Sequence, residues 1–389
     1  MRKYADDQER TIRVRHLVDE WMRSRLIDAA QHQRLAADLY VDLRRTNRFL
    51  RLTLFGFGLL IIAATVGLVG ETIDVTGSIA SGTLCLIAAA ACAALAEFLI
   101  DRFRLYRFGV EEACAIGAAL LVAGGSALLA GSVSGVTFGN RQLFAASIAG
   151  SAAAFAVYRR YGYVYAAVGA MLCAGLAPFQ LHLPEVVQRL LAAAALGACF
   201  IVARTTRKKY GDEFPGDEYG ILQASAWLGI YAALNVHLFS EFSSGPLAPS
   251  FYGFTYAAIW TLPAAGVWLS IRDRDSLLLN ASLLMALATL VTNKPYLGAV
   301  RQAWDPILLG LLLIGIAIVV RRWLAGGADA SRKGFTASRL VRADDDRGAA
   351  AGLVSAFQQT PTHRHPEPSP ESLEQGGGRS GGGGAGASF

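Results

Sequence analysis

The feature that most constrains this chain is a series of nearly uncharged runs, each about 20 residues long, between residues 49 and 323. A helix of about 20 residues crosses the ~30 Å hydrocarbon layer of a bilayer. Charged residues make up 17% of the 389 positions, against roughly 25% in a soluble domain, and most of them lie in two tails. This pattern excludes a soluble enzyme, a nucleic-acid binder or a disordered scaffold. It predicts an all-α, polytopic membrane protein whose first partner is the lipid bilayer.

Charged clusters divide the apolar region into ten segments. Each segment is long enough, or nearly long enough, to cross the bilayer as a helix. The predicted spans are 52–70, 79–100, 110–133, 143–158, 163–181, 187–203, 219–239, 251–271, 276–291 and 306–323.

The positions of the basic residues test this count, because Lys and Arg in short loops collect on the cytoplasmic side. With ten spans, all but four of the 36 Lys and Arg residues fall on one side of the membrane. A missed or invented span would invert every later loop and destroy this alternation. The sequence therefore predicts ten spans with both termini in the cytoplasm. The four exceptions are Arg141, Arg189, Lys294 and Arg301.

Composition also bears on the cellular location. The first 48 residues are charged and too long for the start of a secretory signal, so we expect no cleavable signal peptide. Arg supplies 31 of the 36 basic residues, and the apolar segments are rich in Ala and Gly, as in proteins from GC-rich bacterial genomes. The bacterial inner membrane is the expected location.

Residues 1–48 form a separate unit in front of the 49–323 bundle. Val14, Leu17, Val18, Trp21 and Met22 have the spacing of one apolar helix face. A capping box, Asp28 with Gln31, begins a second helix that carries Leu35, Leu39 and Leu43 and is expected to continue through Asn47 into the first span. The sequence predicts a cytoplasmic helical hairpin.

Three roles remain open for this hairpin. It is a docking module for a cytoplasmic protein, a cap on the inner face of the bundle, or an interfacial anchor whose Arg44, Arg45, Arg48 and Arg51 contact anionic lipid head groups. Acidic residues are interleaved with the basic ones, so no basic recognition face for DNA emerges. At the other end of the chain, residues 324–389 are rich in Gly and Pro and predict a disordered cytoplasmic tail that offers a second place for a protein partner.

Three stretches carry a resemblance. They are the hairpin pattern Leu17, Trp21, Leu26 and Ile27, the segment DLRRTNRFLRLTL at 42–54, and the segment TNKPYLGAVRQAWDP at 292–306. The chain resembles a family of predicted bacterial inner-membrane proteins of unknown function that begin with a small cytosolic helical domain. The resemblance extends to residue 340 and implies an architecture of about ten transmembrane helices, without implying an activity.

Ionisable side chains at membrane depth are costly, so each one is a candidate functional residue. Glu97, Glu111 and Glu112 cluster at the cytoplasmic ends of the second and third spans. Glu97 is a candidate proton or cation site. The alternative is structural, because carboxylates are stabilised at a helix N-terminus and the neighbouring arginines neutralise them.

The outer loops carry the remaining candidates. His237 ends the seventh span, and Lys294, Arg301 and Asp305 connect the last two spans. A belt of structural ion pairs explains this set, and an extracytoplasmic ligand pocket is the alternative. Within the spans, Asn280 is one of very few polar residues, and a transport path is expected to contact it or Pro263.

These observations favour one class of function over another. The spans offer no nucleophile, base or metal-ligand set, so we expect neither an enzyme nor a cofactor. The sequence favours a scaffold or regulatory partner in a membrane assembly, which uses the head or the tail for protein contacts. The alternative is a small-solute transporter or permease with a site near the bilayer midplane.

Overall fold

A computed structural model describes residues 3–4, 6–23, 26–134, 139–209, 216–238, 248–273 and 275–298, together with nine positions between 307 and 323 and the pairs 331–332 and 335–336. The described part of the chain is built from α-helices, with one short 3₁₀ helix and one pair of two-residue strands. The all-α prediction is confirmed at this level.

Two short helices form the head and nine longer or more apolar helices form the bundle. The head consists of α1 (Asp6–Arg23) and α2 (Ala29–Asp38). The bundle helices are α3 (Arg48–Thr72), α4 (Ser78–Phe103), α5 (Val110–Ser134), α6 (Asn140–Tyr161), α7 (Val164–Leu176), α8 (Glu185–Lys209), α9 (Gly216–Leu234), α10 (Pro249–Asp273) and α11 (Ser276–Tyr296). The 3₁₀ helix Ala177–Gln180 extends α7, and the strands β1 (Ser331–Arg332) and β2 (Phe335–Thr336) pair antiparallel.

Six of these helices are long and apolar enough to cross a membrane, namely α3, α4, α5, α8, α10 and α11. The chain therefore has the helices of a membrane protein. The first nine predicted segments each coincide with one of α3–α11. The tenth, 306–323, lies largely outside the described residues, although its nine described positions are helical.

The start of the first span differs from the sequence-based expectation. The capping box is present, with Gln31 N–H donating to Asp28 Oδ1 (2.7 Å) and Asp28 N–H donating to Gln31 Oε1 (3.0 Å). However, α2 ends at Asp38 and does not continue through Asn47. The side chain of Asn47 accepts a hydrogen bond from Leu50 N–H (2.7 Å) and begins α3 as its N-cap. Asn competes with the helical backbone in this way and favours caps over helix interiors.

The predicted apolar face of α1 is divided by the fold. Val18 is buried and Val14 and Leu17 are half-buried, while Trp21 is 40% exposed and Met22 is 36% exposed. Ile12, outside the predicted face, is also buried. Helical spacing places side chains on one face, but it does not reveal where the neighbouring surface ends. The buried half of α1 packs with bundle residues such as Ile100 and Tyr106.

Glycines bring α4 and α5 close together. A Cβ atom added to Gly82 would lie 3.0 Å from the Gly125 carbonyl oxygen, and one added to Gly125 would lie 2.9 Å from the Gly82 carbonyl oxygen. Any side chain at either position would push the two backbones apart. Small residues at helix contacts are the usual means by which membrane helices approach closely.

Pro263 interrupts the hydrogen bonding of α10, and a side chain from a neighbouring helix supplies the missing donor. Proline has no N–H, so the carbonyl of Ile259 loses its partner within the helix. Thr289 of α11 donates its hydroxyl to this carbonyl at 2.7 Å. Tyr231 of α9 lies 2.9 Å from the same hydroxyl, and Asn235 donates to Tyr231 at 2.9 Å. A chain of hydrogen bonds thus connects α9, α10 and α11 inside the bundle.

We expect Thr289→Val to destabilise the protein by roughly 1–2 kcal/mol, because it leaves a buried carbonyl and the Tyr231 hydroxyl without their partner. Thermal unfolding in detergent, followed by the helical circular-dichroism signal, measures this effect. The matched control is Thr261→Val, since the Thr261 hydroxyl bonds only within its own helix, to the carbonyls of Ala257 and Ala258. An equal fall of the midpoint in both variants would show that the link between helices contributes nothing.

Candidate functional site

One end of the bundle carries a connected set of ion pairs, and we call it the basic face. It contains the first residues of α3, α5, α7, α9 and α11 and the last residues of α4, α6, α8 and α10, together with the loops that join them. The pairs that connect different elements here are Arg51–Glu112, Arg107–Glu218, Arg204–Asp273, Arg207–Asp275 and Arg160–Glu97. These contacts show that consecutive bundle helices begin and end alternately at this face.

Glu97 contacts three basic or hydroxyl side chains on this face. Arg160 donates to its two oxygens at 2.7 Å and 3.0 Å, and the Tyr161 hydroxyl donates at 2.9 Å. The ammonium group of Lys3 lies 2.5 Å from Glu97 Oε2. A carboxylate with three donors is held in its ionised form. The geometry favours the structural interpretation of Glu97 over a proton or cation site.

Lys3 connects the start of the chain to the bundle. Its ammonium group also donates to Asp101 (2.8 Å), and its backbone N–H donates to the Arg160 carbonyl (2.7 Å). Burial lowers the pKa of Lys3, but the hydrogen bonds to Asp101 and Glu97 outweigh it and raise this pKa above its ordinary value. Lys3 therefore keeps its charge throughout the neutral range, and this contact weakens only as the pH rises through that raised pKa.

Next to Lys3, Tyr4 inserts its ring into the bundle. Its hydroxyl lies 3.4 Å from the Leu105 carbonyl and 3.5 Å from the Tyr163 hydroxyl, and its ring meets the edge of Tyr106 at 4.9 Å between centroids. Burial raises the pKa of Tyr4 well above its ordinary value. Tyr106 in turn lies 3.5 Å from a carboxylate oxygen of Glu9 on α1. The head is thus attached by an aromatic cluster as well as by charge.

Two further contacts complete this attachment. Arg13 of α1 lies 3.3 Å from Glu218 at the start of α9, and Arg107 shares the same carboxylate at 3.4 Å. Between the head and α3, Arg44 exchanges backbone hydrogen bonds with the α4–α5 loop, donating to the Arg104 carbonyl at 2.9 Å and accepting from Tyr106 N–H at 3.0 Å. Of the predicted roles for the head, this geometry matches a cap that lies against the basic face of the bundle.

Glu111 and Glu112 begin α5, as the sequence suggested, and both are buried. Arg51 donates to the two oxygens of Glu112 at 2.8 Å and 2.5 Å. Glu111 accepts from Phe108 N–H at 2.6 Å through one oxygen, while its other oxygen has no hydrogen-bond partner among the described residues. Glu112 joins α3 to α5, and Glu111 caps the turn before α5.

The opposite end of the bundle holds a second polar cluster, which includes His237. Tyr252 donates its hydroxyl proton to the Tyr296 carbonyl (2.9 Å), so His237 Nε2, at 3.0 Å, is the donor to Tyr252. The imidazole ring meets the edge of Tyr296 at 4.5 Å between centroids. Tyr296 accepts from Val236 N–H at 3.0 Å. These bonds hold the end of α9 against α10 and α11.

The other outward candidates are not brought together in the described part of the chain. Lys294 lies in the last turn of α11, whereas Arg301 and Asp305 lie outside the described residues. Asn280 lies at an exposed position of α11, while Pro263 is buried in α10. Asn280 and Pro263 do not form a common site.

Several residues of both clusters were not identified by sequence reasoning. Buried Arg189 donates to Glu185 at 2.8 Å and to the Ala233 carbonyl at 3.0 Å, and its spacing of four from Glu185 was the available signal. Lys3 and Tyr4 gave no signal, because their partners lie far away in sequence. Among the described residues, no three His, Cys, Asp or Glu side chains are grouped so as to hold a metal ion.

An apolar cavity of about 320 Å³ lies between α6, α7, α8 and α9. Its wall includes Ala167, Ala170 and Ala174 of α7 and Ala198 of α8. The Ser151 hydroxyl, which also lines it, donates to the Ala170 carbonyl at 2.9 Å. The wall therefore suits an apolar occupant.

Comparisons of the chain with protein-family models, with curated proteins and with solved structures found no match.

We expect Lys3→Gln to loosen the head. Ion pairs with partly exposed partners contribute about 0.5–1 kcal/mol, so amide hydrogen exchange in α1 should accelerate about two- to fivefold. Exchange measured by mass spectrometry on the full chain in detergent tests this. The control is Arg10→Gln, at an exposed position of the same helix. Equal acceleration in both variants would contradict the assignment of Lys3 as an anchor.

Proposed function

We propose that the protein is a ten-span protein of the bacterial inner membrane with both termini in the cytoplasm. The alternation of helix ends at the basic face supports this topology, because it places the predicted cytoplasmic loops on one side. Helix α11 begins at that face and runs to the opposite side of the bundle, so a tenth helix at 306–323 would return the chain to the cytoplasm. The bacterial location rests on composition and on the family resemblance.

We propose further that it serves as a scaffold or regulatory partner in a membrane assembly, with the head as the docking module. The observation that carries this proposal is an exposed apolar surface on a firmly attached head. Trp21, Met22 and Leu26, which we call the hairpin tip, lie at the turn between α1 and α2, and Leu26 is 69% exposed. Leu26 N–H donates to the Trp21 carbonyl at 2.9 Å, which fixes the turn.

Attachment of the head matters for binding. Lys3, Tyr4 and Arg13 hold α1 on the bundle, so the hairpin tip is presented in one orientation. A surface that is already ordered loses less entropy when a partner binds. Trp and Met are enriched at protein interfaces, and Trp is frequent among the residues that dominate binding energy. The tip therefore suits a cytoplasmic protein with an apolar groove or pocket.

The alternative, a small-solute transporter, has less support in the described residues. A polar path near the midplane would need groups that are free to contact a solute. The Ile259 carbonyl released by Pro263 is already bonded to Thr289, and Asn235 is bonded to Tyr231 and Thr292. The apolar cavity is lined by neither Asn280 nor Pro263.

Cysteine labelling tests the topology. In a background without the five native cysteines, Asp74→Cys and His182→Cys should react with a membrane-impermeant maleimide from outside intact cells. Arg102→Cys and Ser369→Cys should react only after the membrane is opened. Labelling of Ser369→Cys from outside would contradict the tenth span. Labelling of Arg102→Cys from outside would contradict the proposed orientation.

Photo-crosslinking in intact cells tests the docking role. A photoreactive amino acid at Met22 should give one discrete protein adduct, and Trp21→Ala with Leu26→Ser should reduce its yield about tenfold, since these residues supply the apolar contact. Point variants are preferable to deletion of 1–48, which would also uncover Tyr106 and Glu111.

One control and one contrary outcome make this experiment decisive. The same photoreactive group at exposed Gln33, on α2, should not give that adduct. Recovery of lipid adducts alone at Met22 would instead identify the tip as an interfacial anchor and would refute the docking role.

A further inference from the structure

The apolar cavity between α6, α7, α8 and α9 has features that the scaffold role does not use. Helix α7 has 13 residues, against 22 in α6 and 25 in α8, and four of the side chains that line the cavity from α7 and α8 are the alanines named above. Small side chains on a short helix leave space between its longer neighbours. The volume of about 320 Å³ is at the lower end of the range of roughly 300–1,000 Å³ for ligand sites.

The cavity opens toward the side of the bundle that would face lipid. Phe155 of α6 and Val202 of α8 line it and are more than half exposed. Neither side chain closes the opening. An occupant can therefore enter from the hydrocarbon layer, and the apolar wall matches a hydrocarbon chain rather than a polar solute.

One end of the cavity reaches the basic face. Tyr158, Thr206 and Tyr219 line it there, close to the last residues of α6 and α8 and the first residues of α9. The distance along α8 from Ala198 to Thr206 is about 12 Å at 1.5 Å per residue, so the cavity extends from the interface well into the apolar layer. The three hydroxyl groups lie at the level where a lipid's polar region would begin.

The helix ends beside this polar end are positively charged. Arg159 lies four residues after Phe155 in the last turn of α6, and Lys209 lies three residues after Thr206 in the last turn of α8, so each shares a helix face with a side chain that lines the cavity. Both residues are at exposed positions. Basic pockets between membrane helices on the cytoplasmic side are typical binding sites for anionic lipid head groups.

We propose that this cavity is a binding site for an anionic phospholipid. One acyl chain occupies the cavity, and the phosphate lies at the basic face near Arg159 and Lys209. The acyl chain alone gives little preference, because surrounding lipid tails are equally apolar. The shape of the cavity holds the acyl chain, and the basic side chains select an anionic head group.

Native mass spectrometry of the full chain in detergent tests the head-group half of the proposal. The probes are phosphatidylglycerol and phosphatidylcholine with the same acyl chains, titrated separately. We expect tighter binding of phosphatidylglycerol, and Arg159→Gln with Lys209→Gln should weaken it about 25-fold, at about fivefold for each basic residue. Arg102→Gln with Arg272→Gln removes the same charge from exposed positions at the ends of α4 and α10, two helices that contribute no side chain to the cavity wall, and should leave the affinity unchanged.

Filling the cavity tests the acyl-chain half. Ala174→Phe, at a half-buried position, and Ala198→Phe, at an exposed position, should each abolish retention of phosphatidylglycerol, while Ala90→Phe on exposed α4 surface should not. Ala198→Phe keeps the test informative if Ala174→Phe fails to fold. Binding that survives both substitutions, or that falls equally in the Arg102 and Arg272 control, would overturn the proposal.

Discussion

The bilayer interior does not solvate charge, and the placement of Glu97 shows how the fold meets that constraint. Glu97 lies near the end of α4, where Arg160, Tyr161 and Lys3 supply four contacts to its two oxygens. The same arrangement recurs on the basic face, where a basic residue on one helix end meets a carboxylate on another, as in Arg204–Asp273. Each such pair joins different elements. The same contacts therefore neutralise the charges and align the helix ends. Replacing a single partner would leave a charge whose burial is costly.

Sequence patterns predicted the helices well because hydropathy and length determine them almost locally. The nine segments that overlap α3–α11 followed from charged clusters alone, and the capping box at Asp28 followed from a spacing of three. The end of α2 was missed, since a pattern of leucines cannot show that Asn47 caps a new helix. Lys3, Tyr4 and Glu218 were also missed, because their partners are 94 to 205 positions away and depend on how helices pack. Glu97 was identified with two alternatives, a proton or cation site and a structural role, but its partners Lys3 and Arg160 were not.

Several described polar residues inside the bundle and at the end opposite the basic face join helices to one another. Membrane helices gain little from apolar contact with one another, because lipid competes for the same surface. Asn235, Tyr231 and Thr289 provide directional bonds between α9, α10 and α11 instead, and the last of them satisfies the carbonyl that Pro263 leaves open. The carbonyl that a proline releases in this helix is thus satisfied by a side chain of its neighbour. His237 extends the same network to Tyr252 and Tyr296 at the end opposite the basic face.

The last turn of α6 connects the two proposed binding surfaces. Arg160 holds Glu97 and, through its carbonyl, the backbone of Lys3, so it takes part in fixing the head. Arg159, its neighbour, stands beside the polar end of the apolar cavity. Any lipid that draws Arg159 toward its phosphate acts on the same helical turn that anchors the head. Since coupling between two sites is reciprocal, a partner that displaces the head would change lipid affinity by the same factor that the lipid changes the partner's affinity. Both membrane composition and partner binding would then act on the last turn of α6.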